Sequence, residues 1–192
     1  IFIDKKHSVE WHISEFEKMA ENLAGYTKTC VISFIDIYKK VERNFPEAKS
    51  VRAEDRAMIG KAFVKIASKY GMDLRPCAEG EELAQYGADC SGCMTVHTFE
   101  TALHSRLEVP KRKKNQRNGE CACLLGTDIG AYDTCGHLCK YCYANVNPVL
   151  VKENMRKHNP ASPFLIGGHM PGDIVREAKQ ESWIDRQIRL EF

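Results

Sequence analysis

Cys135-Gly136-His137-Leu138-Cys139-Lys140-Tyr141-Cys142 sets three thiols on one short stretch, and Tyr143-Ala144-Asn145 follows directly. Three thiolates on a tight loop suit three irons of a [4Fe-4S] cluster. Such clusters are usually held by four thiolates, so a three-cysteine loop leaves one iron with an open coordination position. Zinc is the competing reading. Cys90-x-x-Cys93 and Cys139-x-x-Cys142 are two C-x-x-C pairs, a spacing that holds structural zinc. Zinc leaves Cys135, Cys121 and Cys123 unexplained, which favours iron and sulfide; free or redox-active thiols are the third reading. His137 is read as a solvent-facing loop residue. Tyr141 and Tyr143 are read as packing around the cluster rather than reacting.

Nine cysteines are many for 192 residues, and all but Cys30 fall between Cys77 and Cys142. A secreted disulfide framework fits this clustering poorly, and no charged n-region or cleavage site precedes Ile1-Phe2-Ile3. The start is read as a truncation inside a larger domain, and the thiols as metal ligands of a cytoplasmic protein. With 43% hydrophobic and 28% charged residues, one globular domain with a sizeable core is expected. A net charge of +2 is too small to dictate a nucleic-acid or membrane partner. No apolar run reaches membrane-spanning length, so no membrane partner is expected.

The elements that must position these groups alternate along the first half of the chain. Ile1-Phe2-Ile3-Asp4 reads as the end of a buried strand. A helix follows over 8–24, with Ile13, Phe16, Met19, Ala20 and Leu23 at helical spacing. Cys30 to Ile37 is dense in β-branched residues and reads as a strand; 53–70 reads as a helix ending at Gly71, and 74–78 as a short strand. Strand, helix, strand, helix, strand argues for parallel βαβ units. The expected fold class is therefore α/β: a partial (βα) barrel-like parallel sheet over 1–80, followed by a loop-rich, cysteine-rich metal-binding region over 81–192 packed on the same domain. That second region carries expected helices over 96–105 and 148–158, a Gly/Pro loop over 162–173 and a helical tail from Ile174. Lys111-Arg112-Lys113-Lys114 with Arg117 reads as a solvated basic loop. In α/β barrels the active site gathers at the carboxyl ends of the strands. Asp4, Asp36, Tyr38, Cys77 and Glu79 all sit at or just past such ends, and Asp36 and Glu79 are the catalytic candidates.

The C-x-x-x-C-x-aromatic-C spacing resembles the signature of the radical S-adenosylmethionine (SAM) enzymes. More of the chain resembles an uncharacterised prokaryotic family, a domain of unknown function with a C-terminal cysteine cluster of that type. The matching stretches are Ser33-Phe34-Ile35-Asp36-Ile37-Tyr38, Cys77-Ala78-Glu79, Lys114-Asn115-Gln116-Arg117, Cys121-Ala122-Cys123, Asp128 through Asn145, Ser162 through Gly167, and Gln187 to Phe192. The resemblance implies a [4Fe-4S] cluster on Cys135, Cys139 and Cys142 whose open iron binds SAM. Tyr141 and Asn145 belong to the same cofactor-binding loop. Cys77, Cys93, Cys121 and Cys123 match further cysteine positions of the family and make up a second metal site, a second [4Fe-4S] cluster or zinc. Members also have a substantial N-terminal portion absent here, and Gly167-Gly168 is read as a loop. The Cys-Tyr-Ala-Asn ending is similar to the cluster loop of spore photoproduct lyases, which adds nucleic acid to small molecules as a substrate class.

Three functions follow as expectations. The first is a radical SAM-like enzyme, served by an electron donor such as a flavodoxin or ferredoxin. The second is an electron-transfer iron–sulfur protein without SAM. The third is a zinc-stabilised binding module.

Overall fold

The computed structural model describes residues 1–110, 123–124, 130–177 and 181–186. It is a mixed α/β structure that divides into two compact units. One is Ile1–Asp36 with Lys49–Gly126 and Ser182–Phe192; the other is Ile37–Ala48 with Thr127–Glu181.

The first unit is built on helix α1 (Val9–Leu23), strand β1 (Thr29–Ile32), helix α3 (Ala53–Lys69) and strand β2 (Asp73–Pro76). Ser8 caps α1 by accepting a hydrogen bond from the Trp11 N–H, and Glu10 stands in the first turn, where the helix dipole favours negative charge. Ala24 and Gly25 end the helix, Gly25 at φ +81°. α3 has no side-chain cap; instead Arg52 holds Asp55 in the first turn through two bonds of 2.8 and 3.0 Å. Ile59, Gly60, Phe63, Val64, Ile66 and Ala67 form its buried stripe. Phe16 of α1 stacks on Phe63 of α3, ring centroids 3.9 Å apart. Gly60 lets Leu83 lie against the helix, since a Cβ there would meet the Leu83 methyls at 2.3 and 2.8 Å. Helix α4 (Val96–Leu103), capped by Thr95, lies further along the unit.

β1 and β2 pair in parallel, from Thr29 opposite Asp73 to Ile32 opposite Pro76. The strand expected over 30–37 thus stops five residues early, at Ile32, although the chain stays extended. The Phe34 N–H is taken by the Glu79 carboxylate at 2.7 Å rather than by a neighbouring strand. Ile35 donates to the Ile1 carbonyl at 2.8 Å, and the Ile1 amino group to Ser33 at 2.6 Å, so the opening residues lie beside β1's extension. Among the described residues the sheet has these two strands.

In the second unit, helix α2 (Lys39–Asn44) and helix α5 (Pro148–Lys157) flank the cysteine loop. Asn147 caps α5 by accepting from Val149 and Leu150, with Pro148 just inside the start. α2 is too short and too polar to show in the sequence pattern; Val41 is its one buried residue. The helical tail expected from Ile174 is not found in 174–177 or 181–186. Instead Leu107 and Ile184 form an antiparallel bridge in the first unit, flanked by Glu108 N–H to Trp183 O and Asp185 N–H to Arg106 O, which commits that backbone to extended pairing. No helix among the described residues is long and apolar enough to cross a membrane.

Ile59 is fully buried between α1, β2 and the Leu83 turn. Ile59→Ala should cost about 2–5 kcal/mol in urea unfolding, the usual range for truncating a buried aliphatic side chain. A loss below about 1 kcal/mol would show that this stripe is not the core.

Candidate functional site

The loop from Asp133 to Asn147 is closed on itself by polar contacts. Asp133 is buried at φ +56°, a conformation Asp tolerates better than most residues. Its carboxylate accepts from the N–H groups of Val146 (2.5 Å) and Asn147 (2.8 Å). Its own N–H donates to the Ala144 carbonyl at 3.0 Å, and its carbonyl accepts from Asn154 of α5 at 3.0 Å. Asn145 Nδ2 donates to the Cys135 carbonyl at 2.6 Å, and Cys142 N–H to the Cys139 carbonyl at 3.0 Å. Gly136 faces Met155 of α5 so closely that a Cβ would lie 2.7 Å from its sulfur. From the α2 side, Tyr38 Oη donates to the Tyr141 carbonyl at 2.8 Å. Lys40 Nζ donates to the carbonyls of Tyr143 and Asn145. Lys140 pairs with Glu47 at 2.9 Å.

These contacts hold the backbone and leave the thiols out. Cys135 and Cys139 are exposed and Cys142 is half-buried. His137 is exposed, as expected of a loop histidine. Tyr141 packs on Tyr38 with ring centroids 5.8 Å apart, and Tyr143 meets Tyr132 edge-on at 6.3 Å. Beside Cys139 lies a cavity of about 590 Å³ lined by Arg43, Asn44, Leu138, Lys140, Asn145 and Pro148 among others. Asn145 Oδ1 is buried and has no hydrogen-bond partner among the described residues. Sequence reasoning passed over Asp133, Lys40 and Asn154. Asp133 and Asn154 are polar residues close to the cysteine run, whereas Lys40 reaches it from about a hundred residues away and gave no local signal.

The first unit gathers a second set of thiols. Cys93 Sγ lies 3.5 Å from Cys77 Sγ and 3.2 Å from Cys123 Sγ. Cys77 follows β2 and is pinned by its N–H to the Ile32 carbonyl at 2.8 Å; Leu124 N–H ties the third thiol's segment to the Met94 carbonyl at 2.7 Å. Burial first, then hydrogen bonding with Cys123 and Cys77, pushes the Cys93 thiol up to about 12. Cys121, expected in this set, lies outside the described residues, as does the basic run from Lys111 to Arg117. Cys90 packs against the hydrophobic core beside the backbone of Leu83 and Ala84, so the two thiols of Cys90-x-x-Cys93 have different neighbours. Cys30 packs against the core as well. Burial raises both thiols, the behaviour of small apolar side chains. Among the described residues no group of three or more His, Cys, Asp or Glu side chains is arranged to hold a metal ion as it stands.

Asp36 lies four residues past the end of β1 and Glu79 three past the end of β2. Glu79 accepts from the Phe34 N–H and pairs with Arg56 at 3.0 Å, and its side chain is buried. Burial raises its carboxyl pKa; the Phe34 hydrogen bond and Arg56 oppose the rise, and the Asp36 charge adds to it. Glu79 thus holds β1's extension in place, while Asp36 is exposed and close enough for its charge to be felt.

A family model described as a domain of unknown function (DUF1848) matches residues 1–144. No curated protein and no solved structure matches the chain.

The Asn147 N–H first, and the Val146 N–H next, hold the Asp133 carboxyl below its ordinary value. A carboxyl depressed by folding stabilises the loop above its unfolded value of about 3.9, and that stabilisation is lost as pH falls through the lower folded value. Asp133→Ala should therefore loosen the loop at neutral pH, read as faster amide exchange at Val146 and Asn147. Asp133→Asn should keep the turn and remove the acid-dependent step below about pH 4, read by Tyr fluorescence or amide exchange. Equal exchange at these amides in wild type and Asp133→Ala would show that the carboxylate does not shape the loop.

Proposed function

The chain belongs to the DUF1848 family, a domain of unknown function, and we propose from its site that it is an iron–sulfur protein with radical SAM-like activity. Cys135, Cys139 and Cys142 would hold three irons of a [4Fe-4S] cluster, leaving one open to a small molecule. The observation that carries this reading is the loop itself: its backbone is tied down by Asp133, Asn145, Tyr38 and Lys40 while its thiols stay accessible. A bare thiol loop needs no such support, whereas thiolates that share one cluster must be held in register.

When bound, such a cluster supplies one electron for reductive cleavage of SAM. The chain's own residues do the rest. The cavity beside Cys139 is roomy enough for a ligand of nucleoside size. Arg43 and Lys140 line it and suit a carboxylate; Asn145 Oδ1 suits an amino or hydroxyl donor that would satisfy a buried acceptor. Asp36, an exposed acid past the end of β1, is read as a catalytic candidate, and Glu79 orients the extended segment that carries it. The parallel β1–β2 pair is read as part of a βα-barrel-like sheet. The protein works in the cytoplasm on a small molecule or a nucleic acid, with a flavodoxin or ferredoxin as electron donor.

Anaerobic reconstitution of the chain should give an oxygen-sensitive cluster, and Cys135→Ala, Cys139→Ala and Cys142→Ala should each abolish it. SAM should shift the electron paramagnetic resonance signal of the reduced protein and release 5′-deoxyadenosine. Arg43→Ala and Lys140→Ala should weaken SAM binding only about two- to fivefold, the scale of exposed charges. Asp36→Asn should leave iron content unchanged and lower turnover. A triple cysteine variant with full iron content would refute the cluster. A cluster that ignores SAM would leave electron transfer as the function.

A further inference from the structure

Cys77, Cys93 and Cys123 come from three separate segments, yet the Cys93 sulfur touches both of the others in the first unit. Cys123 is buried, and Cys77 and Cys93 are half-buried. Three outcomes compete for such a trio. As inert apolar residues, the thiols would have no reason to meet one another rather than the hydrocarbon of the core, as Cys30 and Cys90 do. As a disulfide, two sulfurs would have to close from 3.2 or 3.5 Å to about 2.05 Å, and the third would be left over. As ligands of one metal ion, all three are used.

Distance decides which kind of metal centre fits. Thiolates about 2.3 Å from one tetrahedral zinc stand about 3.8 Å apart. The observed 3.5 and 3.2 Å need to open by about 0.3 and about 0.6 Å. In a [4Fe-4S] cluster each thiolate takes a different iron, so the sulfurs must stand well apart from one another. Thiols already in hydrogen-bond contact are much closer to the mononuclear arrangement.

We propose that Cys77, Cys93 and Cys123 bind a single thiophilic divalent ion of the zinc type. Binding replaces the shared thiol protons, which leave to solvent, and a fourth donor completes the tetrahedron. The ion ties the end of β2 to the segments carrying Cys93 and Cys123, a structural role separate from the exposed loop. The inference goes beyond the loop's function and stands whether or not the loop carries a cluster.

The test uses the full chain, anaerobic and metal-free, with Cys135, Cys139 and Cys142 all changed to Ser so that the loop cannot contribute. Co²⁺ should bind at one equivalent, with a thiolate-to-metal absorption band and the visible bands of tetrahedral cobalt, and Zn²⁺ should bleach both. Adding Cys93→Ser should weaken binding by about a hundredfold or more, since even losing a partner of a ligand costs up to that; Cys30→Ala should change nothing. Should the Cys93→Ser chain fail to fold by circular dichroism, Zn²⁺ protection of the three thiols from alkylation in the parent gives the answer by peptide mapping. Absent cobalt bands, unchanged affinity in folded Cys93→Ser, or unprotected thiols would overturn the proposal. So would reconstitution with iron and sulfide that yields a cluster on this trio.

Discussion

The cysteine loop depends on the carboxylate of Asp133. One oxygen collects the N–H groups of Val146 and Asn147, which brings the two ends of the loop together. Without it, those donors would turn to water and the three thiols would ride on an open chain. The closure also sets the start of α5, since Asn147 is both the residue Asp133 holds and the N-cap of that helix. Helix and loop thus share one anchor. The contacts from Tyr38 and Lys40 go to backbone carbonyls, so they support the loop's path whatever its side chains do. This separation of a held backbone from free thiols is what a metal-binding loop requires and what a merely packed loop does not.

The first unit is organised around the carboxyl ends of its two strands. There Glu79 ends the ladder by taking the Phe34 N–H, and Arg56 of α3 balances its charge while lying over the Phe34 ring. A buried carboxylate with one backbone donor and one guanidinium is worth keeping because removing either partner would leave a desolvated charge. The same strand end carries Cys77 into contact with Cys93. Hydrophobic packing of α1 on α3 supplies the rigidity, and the segments past the strand ends carry the Glu79 carboxylate and the Cys77 thiol.

Much of the fold was legible in the sequence. The apolar spacing of α1, the glycines that close α1 and α3, and the β-branched run of β1 are local signals, and both helices lie within a few residues of their expected places. The elements that escaped were those with weak local signals. α2 is a six-residue helix with a single buried side chain. The tail from Ile174 has a helix-like composition, but Ile184 is engaged by Leu107 far away in sequence. The early end of β1 was equally hidden, because the competing hydrogen bond comes from Glu79, distant in sequence.

By itself the sequence determined the chemical inventory: which residues can bind metal, how the loop thiols are spaced, and that helices and parallel strands alternate. These follow from residue type and near-neighbour spacing, which need no third dimension. The family resemblance already set Cys77, Cys93 and Cys123 apart as a group; only the tertiary structure put Cys93 in contact with the other two and sent Cys30 and Cys90 to the core. Spacing favoured pairing Cys90 with Cys93, but side chains three residues apart share a site only if the backbone turns both the same way. Here the core's demand for apolar volume and the hydrogen bonds at the strand end set that direction, and both are contacts between residues far apart in the chain.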